Sequence, residues 1–274
     1  RDGLVTGVQT CALPISYVAL ASAVMFVVLG ILPLNLVLPA VDWNVIMMIA
    51  GTMGVVFFFI QSKMPSLLAD VIIDRMPDVK WSIISLALLA GIISAFVDNV
   101  ATVLMVAPVA VTIAKKLKIS PVTGIIAIAI SSNLQGAATL VGDTTSILLG
   151  SYASLNFLDF FFYKGNPGMF FVVQASALAS TFILLYVFRN DKQKVHLEER
   201  TIVTDYFPTI LLLGTILMLI LASFVPGRPS MTNGFICLTF FFVGMLRELL
   251  VSRSFKQALQ PARELDYFTL LLLD

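Results

Sequence analysis

Two carboxylates stand where a carboxylate is costly. Of the sixteen Asp and Glu residues, only Asp98 and Asp143 fall well inside apolar stretches. Desolvating such a group is expensive, so its default reading is functional. Asn99 follows Asp98, and Thr102 lies one helical turn on. A carboxylate, an amide oxygen and a hydroxyl are hard ligands suited to Na⁺, and a carboxylate taken out of water suits H⁺. Asp98 or Asn99 could also cap a following helix, which is compatible with either role. Ser132, Asn133, Gly136 and Thr139 would form the facing wall, with freed backbone carbonyls as further ligands. Helix–helix glue is the structural alternative for these small polar residues. Gly142, Asp143 and Thr144 close the set, with an interfacial place near the outer face as the alternative for Asp143. Na⁺ is expected at Asp98, Asn99 and Asn133. His196 lies in a polar stretch, and Cys11 and Cys237 are far apart, so His-based catalysis, a disulfide framework and metal-ligand spacing are not expected. No cofactor is expected, and the chain does not read as an enzyme.

The surroundings of these residues are those of a membrane protein. The 274 residues are 59% hydrophobic and 12% charged, with a mean hydropathy of +0.99. Soluble domains carry about twice that charge, and disordered chains more still. A net charge of +1 offers no footprint for nucleic acid. The fold class is therefore an all-α polytopic membrane protein, with the lipid bilayer as its first partner.

Spans of about 20 apolar residues are expected at 17–38, 43–60, 169–188, 207–225 and 234–250, with a sixth beginning at Tyr267. Two regions differ. In 81–114 the half before Asp98 is about 25 Å of helix, short of a crossing, so a re-entrant hairpin with Asp98-Asn99 at its tip is expected. Region 121–152 carries a polar break, Ser131-Ser132-Asn133-Leu134-Gln135-Gly136, and reads as one crossing unwound in its middle. The Met-rich and Phe-rich runs, such as Phe57-Phe58-Phe59 and Phe160-Phe161-Phe162, read as lipid-facing or packing residues.

Loop charges order these elements. One side collects Lys63, Arg75, Lys80, Lys115, Lys116, Lys118, Arg189, Lys192, Lys194, Arg200, Arg247, Arg253, Lys256 and Arg263; the other holds Lys164 and Arg228. Fourteen against two predicts that loops 61–80, 115–120, 189–206 and 247–264 are cytoplasmic. The expected location is a bacterial plasma membrane. Val41-Asp42-Trp43-Asn44-Val45-Ile46 and Leu265-Asp266-Tyr267-Phe268-Thr269-Leu270 are similar openings of two spans. With an odd number of crossings between them they suggest inverted repeats, a hallmark of secondary transporters. A first repeat is expected over 17–206 and the start of a second over 207–274. Residues 5–15 read VTGVQTCALPI, the translation of a common sequencing-library adapter, so 1–16 is expected to be an artefact. The chain stops inside a fresh apolar run, and both ends read as truncated.

Ser94-Ala95-Phe96-Val97-Asp98-Asn99-Val100-Ala101-Thr102-Val103-Leu104, with Ala107-Pro108-Val109, resembles the first hairpin of the arsenite permease/NhaD-type antiporter family. That family belongs to the ion transporter superfamily, with the citrate transporters and the sodium/divalent-anion symporters. Val41-Asp42-Trp43-Asn44-Val45-Ile46-Met47-Met48 and Ser132-Asn133-Leu134-Gln135-Gly136-Ala137-Ala138-Thr139-Leu140-Val141-Gly142-Asp143 are similar to its next two signatures. The resemblance implies a scaffold and a transport domain in two inverted repeats, often dimeric, working by alternating access. It implies that Asp98, Asn99 and Thr102 are the tip, and Asn133, Gly136, Thr139 and Gly142 the unwound wall.

Two departures bear on the substrate: Gly142-Asp143-Thr144-Thr145-Ser146 replaces the family's Gly-Asp-Pro-Pro-Asn, and Gln135-Gly136-Ala137-Ala138-Thr139 replaces Gly-Gly-Thr-Ala-Thr. Dicarboxylate symporters carry Ser-Asn-Thr at this tip. A fixed charge at Asp98 would repel a dianion and favours a cation, or arsenous acid exchanged for H⁺. The expected function is ion-coupled secondary transport of a small inorganic ion or anion. A Na⁺-coupled citrate or dicarboxylate symporter is the alternative. An intramembrane aspartyl protease is remote, because Leu140-Val141-Gly142-Asp143 lacks its Gly-x-Gly-Asp pattern.

Overall fold

The computed structural model describes residues 17–117, 120–190, 193, 201–203, 205–225, 227, 229–252, 259–263 and 265. Segment 1–16, His196 and the span beginning at Tyr267 lie outside them, as does most of the 265–270 string. The described chain is an all-helical bundle with one two-stranded hairpin, the fold of a polytopic membrane protein.

The first expected span is corrected. Region 17–38 is broken into α1, Tyr17–Val28, and α2, Leu34–Ala40. Gly30 adopts φ +70°, a conformation side chains resist, and Pro33, which has no N–H to donate, stands at the start of α2. The rise of α1 is about 18 Å, short of a hydrocarbon core of about 30 Å.

Helix α3, Trp43–Gln61, is the axis of the bundle. Asp42 starts it by accepting from the Asn44 and Val45 N–H groups at 3.1 and 3.2 Å. Glycines let α11, Thr232–Ser252, come close. A Cβ on Gly51 would lie 2.6 Å from the Leu238 nitrogen, and one on Gly234 2.9 Å from the Asn44 carbonyl oxygen. The buried Asn44 amide oxygen accepts from the Gly234 N–H at 2.9 Å, so a polar tie secures a small-residue contact.

Helix α4, Met64–Ile73, follows α3 through Lys63 at φ 58°. Helix α5, Val79–Ser94, is capped by Asp78 and ends in a turn over 95–98, from which α6, Asn99–Leu117, runs back against α4 and α5. Helix α7, Val122–Gly136, packs on α5 and α6, and a non-helical segment, 137–143, leads to α8, Thr144–Tyr152. A 3₁₀ turn, Phe157–Phe160, precedes β1, Phe162–Tyr163, paired antiparallel with β2, Asn166–Pro167. Then come α9, Met169–Val187, α10, Phe207–Ser223, and, after α11, α12, Gln260–Arg263. Among the described residues α3, α9 and α11 are long and apolar enough to cross a membrane.

Two cores share α3. Val56 and Phe59 pack with Ile83, Leu86, Val106, Ile113 and Ile128 of α5, α6 and α7. Val45, Met48 and Ile49 pack with Leu140, Ile147, Phe157, Phe160, Leu219 and Cys237. Val55 and Phe58 pack with Leu211 and Phe241 of α10 and α11. Phe58, Phe59 and Phe160 thus take the packing role expected of the Phe-rich runs.

The loops separate to two ends. One gathers Gln61, Ser62, Asp205 and Arg247 around a pocket of about 120 Å³. The Val79 N–H donates to the Gln193 carbonyl at 2.8 Å, and the Thr201 N–H donates to buried Asp70 at 2.8 Å. Asp205 pairs with Arg247 and also accepts from the Phe207 N–H at 3.0 Å, joining the start of α10 to the last turns of α11. The opposite end gathers Asp42, Ser151, Asn156, Ser223 and Asn233 around a cleft of about 810 Å³.

Candidate ion site at two helix breaks

The turn after α5 and the break after α7 lie against each other. Both are short stretches in which α-helical hydrogen bonding stops, leaving carbonyls at two helix C-termini and N–H groups at two N-termini. Side chains satisfy several. The Asp98 carboxylate accepts from the Ala101 N–H at 3.0 Å, and the wholly buried Thr102 hydroxyl donates to the Asp98 carbonyl at 2.9 Å. Asp143 does the same for α8, accepting from the Thr144 N–H at 2.9 Å and the Thr145 hydroxyl at 2.6 Å. The cap weighed for Asp98 is therefore present.

The polar stretch before the second break differs from expectation. Of the expected unwound wall, Thr139 and Gly142 do lie where the chain leaves the helix, over 137–143, but Ser131 to Gly136, with Asn133 and Gly136 among them, finish α7 instead. The reason lies across the interface. The Ser132 hydroxyl donates to the Asn99 carbonyl at 3.1 Å, and the Asn133 amide oxygen accepts from the Asn99 amide at 2.8 Å. These groups find partners on α6 without unwinding their own helix.

Unwinding starts where the chain must pass under the α5–α6 turn. The buried Thr139 hydroxyl donates to the Ala95 carbonyl, and Gly142 touches three carbonyls at once. A Cβ there would stand 2.7 Å from the Ala95 and Ser94 oxygens and closer to that of Gly136. A Cβ on Gly136 would be 2.5 Å from the Asn99 amide oxygen.

The expected residues thus form two adjoining groups. Asn99, Ser132, Asn133 and Gly136 meet on the α6–α7 side, with Ser94 donating to the Asn99 amide oxygen at 3.4 Å. Asp98, Gly142, Asp143 and Thr144 line a cavity of about 20 Å³ closed by Thr52, Met53 and Val56 of α3. That volume holds one water-sized particle. Thr139 bridges the two breaks, and Thr102 serves the backbone. The Ser94 and Ala95 carbonyls carry no sequence signal because they are backbone oxygens, and Thr52 carries none because it stands in an apolar span far along the chain from both breaks. The buried Gln135, whose amide oxygen accepts from Gln174 of α9 at 2.9 Å, was also missed. Gln174 did carry a signal, as the one side-chain amide in its span.

Interrupted helices that bring polar side chains and free carbonyls together inside an apolar bundle are how secondary transporters build ion sites. The fold is that of an all-α polytopic membrane transporter. The chain matches the family described as Citrate transporter (CitMHS) over residues 4–272, and it belongs to that family.

It is 29% identical over 188 residues to an uncharacterized transporter of Mycobacterium tuberculosis H37Rv, covering 68% of this chain and 44% of that one. It is 30% identical over 199 residues to a 46 kDa membrane protein of Mycobacterium leprae, covering 71% and 46%. It is 30% identical over 176 residues to the mouse P protein, covering 64% and 21%. The matched part spans less than half of each of these relatives.

Proposed function

We propose that the protein is a cation-coupled secondary transporter working by alternating access, with the coupling ion, Na⁺ or H⁺, held where the two helix breaks meet. The observation that carries this reading is the cavity of about 20 Å³ lined by Asp98 and Asp143, whose wall residue Gly142 packs on the Ser94, Ala95 and Gly136 carbonyls. Two carboxylates concentrate negative potential in a space the size of one ion. A cation lowers that potential, and its departure restores it. Binding is thereby coupled to whatever motion opens the breaks to one side or the other.

In the finer reading, the transporter is of the arsenite permease/NhaD type, a Na⁺/H⁺ antiporter or arsenite carrier. It lies in a bacterial plasma membrane with the basic end cytoplasmic, and α5–α6 is a re-entrant hairpin entering and leaving by that face. The two inverted repeats and the homodimer belong to this reading. A second reading, cation-coupled citrate symport, is favoured by the description of the family. There the bound cation offsets Asp98 before the anion arrives.

The test is Na⁺-induced proton movement in everted vesicles from cells expressing the full-length transporter, wild type against Asp98→Asn. Asn caps helices as well as Asp does, so this variant removes the charge and spares the fold. Proton release on Na⁺ addition in the wild type, lost in the variant, is the expected result. Transport unchanged in Asp98→Asn, with its full pH dependence, would sink the role of Asp98. Saturable cation-dependent citrate uptake without Na⁺/H⁺ exchange selects the second reading.

A further inference from the structure

Helix α9 is the least embedded of the three long apolar helices. Some 11% of it is buried, against 56% of α3. Its contacts with the bundle run along one stripe through Val173 and Ala177, which are buried, and Gln174. The rest of its circumference carries exposed Phe171, Val172, Leu178, Phe182 and Ile183.

What that face meets can be read from its polar groups. The Ser176 hydroxyl donates to the Val172 carbonyl at 3.0 Å and the Thr181 hydroxyl to the Ala177 carbonyl at 2.8 Å, both within α9. These hydroxyls can lie in hydrocarbon without an unmet donor. The Gln174 amide, far costlier there, turns inward to Gln135.

Both ends of α9 carry an aromatic ring paired with a cation. At one, the Arg189 guanidinium lies 4.4 Å from the Tyr186 ring centre. At the other, the β1–β2 hairpin exposes Phe162 and Tyr163, with the Lys164 ammonium 5.0 Å from the Tyr163 ring. Phe162 also packs against Phe171 of α9, 5.4 Å between ring centres, tying the hairpin to the helix. The 19 residues between the two ends rise about 28 Å, close to the thickness of the hydrocarbon core. Aromatic rings collect at the two membrane–water interfaces, and long cationic side chains there reach for lipid phosphates.

We propose that α9 and the β1–β2 hairpin form a lipid-facing edge of the transporter. The apolar face of α9 lies against acyl chains, while Lys164 and Arg189 sit at the phosphates of opposite leaflets. Charge complementarity at both ends, one bilayer apart, selects lipid as the occupant. A second copy would instead approach through Ala175 and Ala179, which lie among the bulky residues and are the small pair a close helix contact would use.

Spin labels on single cysteines at Phe162, Ala175, Leu178, Phe182 and Arg189 of the full-length transporter test this. The protein is reconstituted in phosphatidylethanolamine–phosphatidylglycerol vesicles, and collision rates with oxygen and with a water-soluble nickel chelate are read for each label. Ala175, Leu178, Phe182 and Arg189 are exposed, so labels there do not disturb packing, and the label at 162 takes the place of the ring that packs on Phe171. Oxygen collisions exceeding nickel collisions several-fold at 175, 178 and 182, with the ratio falling toward 162 and 189, is the expected profile. Labels at 175 and 178 shielded from both reagents would mean that protein covers α9 and would overturn the proposal. A label at 162 as open to nickel as a label in free solution would overturn the placement of the hairpin.

Discussion

At the scale of single residues, the site depends on a glycine as much as on its acids. Gly142 is hemmed by three carbonyl oxygens of the main chain, which cannot rotate away as a side chain can. Gly142→Ala is expected to destabilise the protein by about 1–3 kcal/mol or more. Gly124 is the control, because a Cβ there would meet nothing closer than 3.7 Å, an ordinary contact with Ile83. It lies inside α7, where Ala favours helix over Gly, so Gly124→Ala should stay within about 1 kcal/mol of wild type. Thermal denaturation of both variants in detergent makes the comparison. Equal midpoints would mean that the carbonyls do not close on Gly142.

At the scale of elements, Gln135 links the end of α7 to α9 and fills the space left by Gly91 of α5. It stands where much of the resembled family has glycine, so this chain holds its second break with an amide pair. Paired amides in membranes contribute about 0.6 kcal/mol, up to about 1.7. A double-mutant cycle of Gln135→Leu and Gln174→Leu, read as unfolding free energy in detergent micelles, should return a coupling in that range. No coupling would mean that the two amides act independently. Helix placement follows the same logic: α3 and α11 were each legible as apolar runs, but their adjacency rests on Gly51 meeting the main chain at Leu238 and on the Asn44–Gly234 bond.

At the scale of the molecule, the two ends differ in charge and in what joins them. Lys63, Arg75, Lys80, Arg189 and Arg247 go with the end where Gln193, Thr201 and Asp205 bind the helices together, and Lys164 follows the 3₁₀ turn packed toward the other. With the basic end cytoplasmic, a single cysteine at Lys164 should react with a membrane-impermeant maleimide in whole cells. One at Gln193 should react only in everted vesicles. The reverse pattern would invert the orientation.

The sequence by itself determined that this chain belongs in a bilayer, where its long helices run and that the helix through 81–114 breaks at Asp98. Those properties are local: hydropathy is counted along the chain, and an Asp-Asn pair interrupts an apolar run wherever it occurs. Tertiary structure decided that α1 and α2 separate at Gly30, that α7 stays helical through Ser131–Gly136, and that Asp98 shares a cavity with Asp143. In α7 the polar groups are satisfied by Asn99, more than thirty residues away, and nothing local announces that partner. A polar stretch unwinds a membrane helix only when its groups lack partners across the interface, and that condition is visible only once the chain has folded.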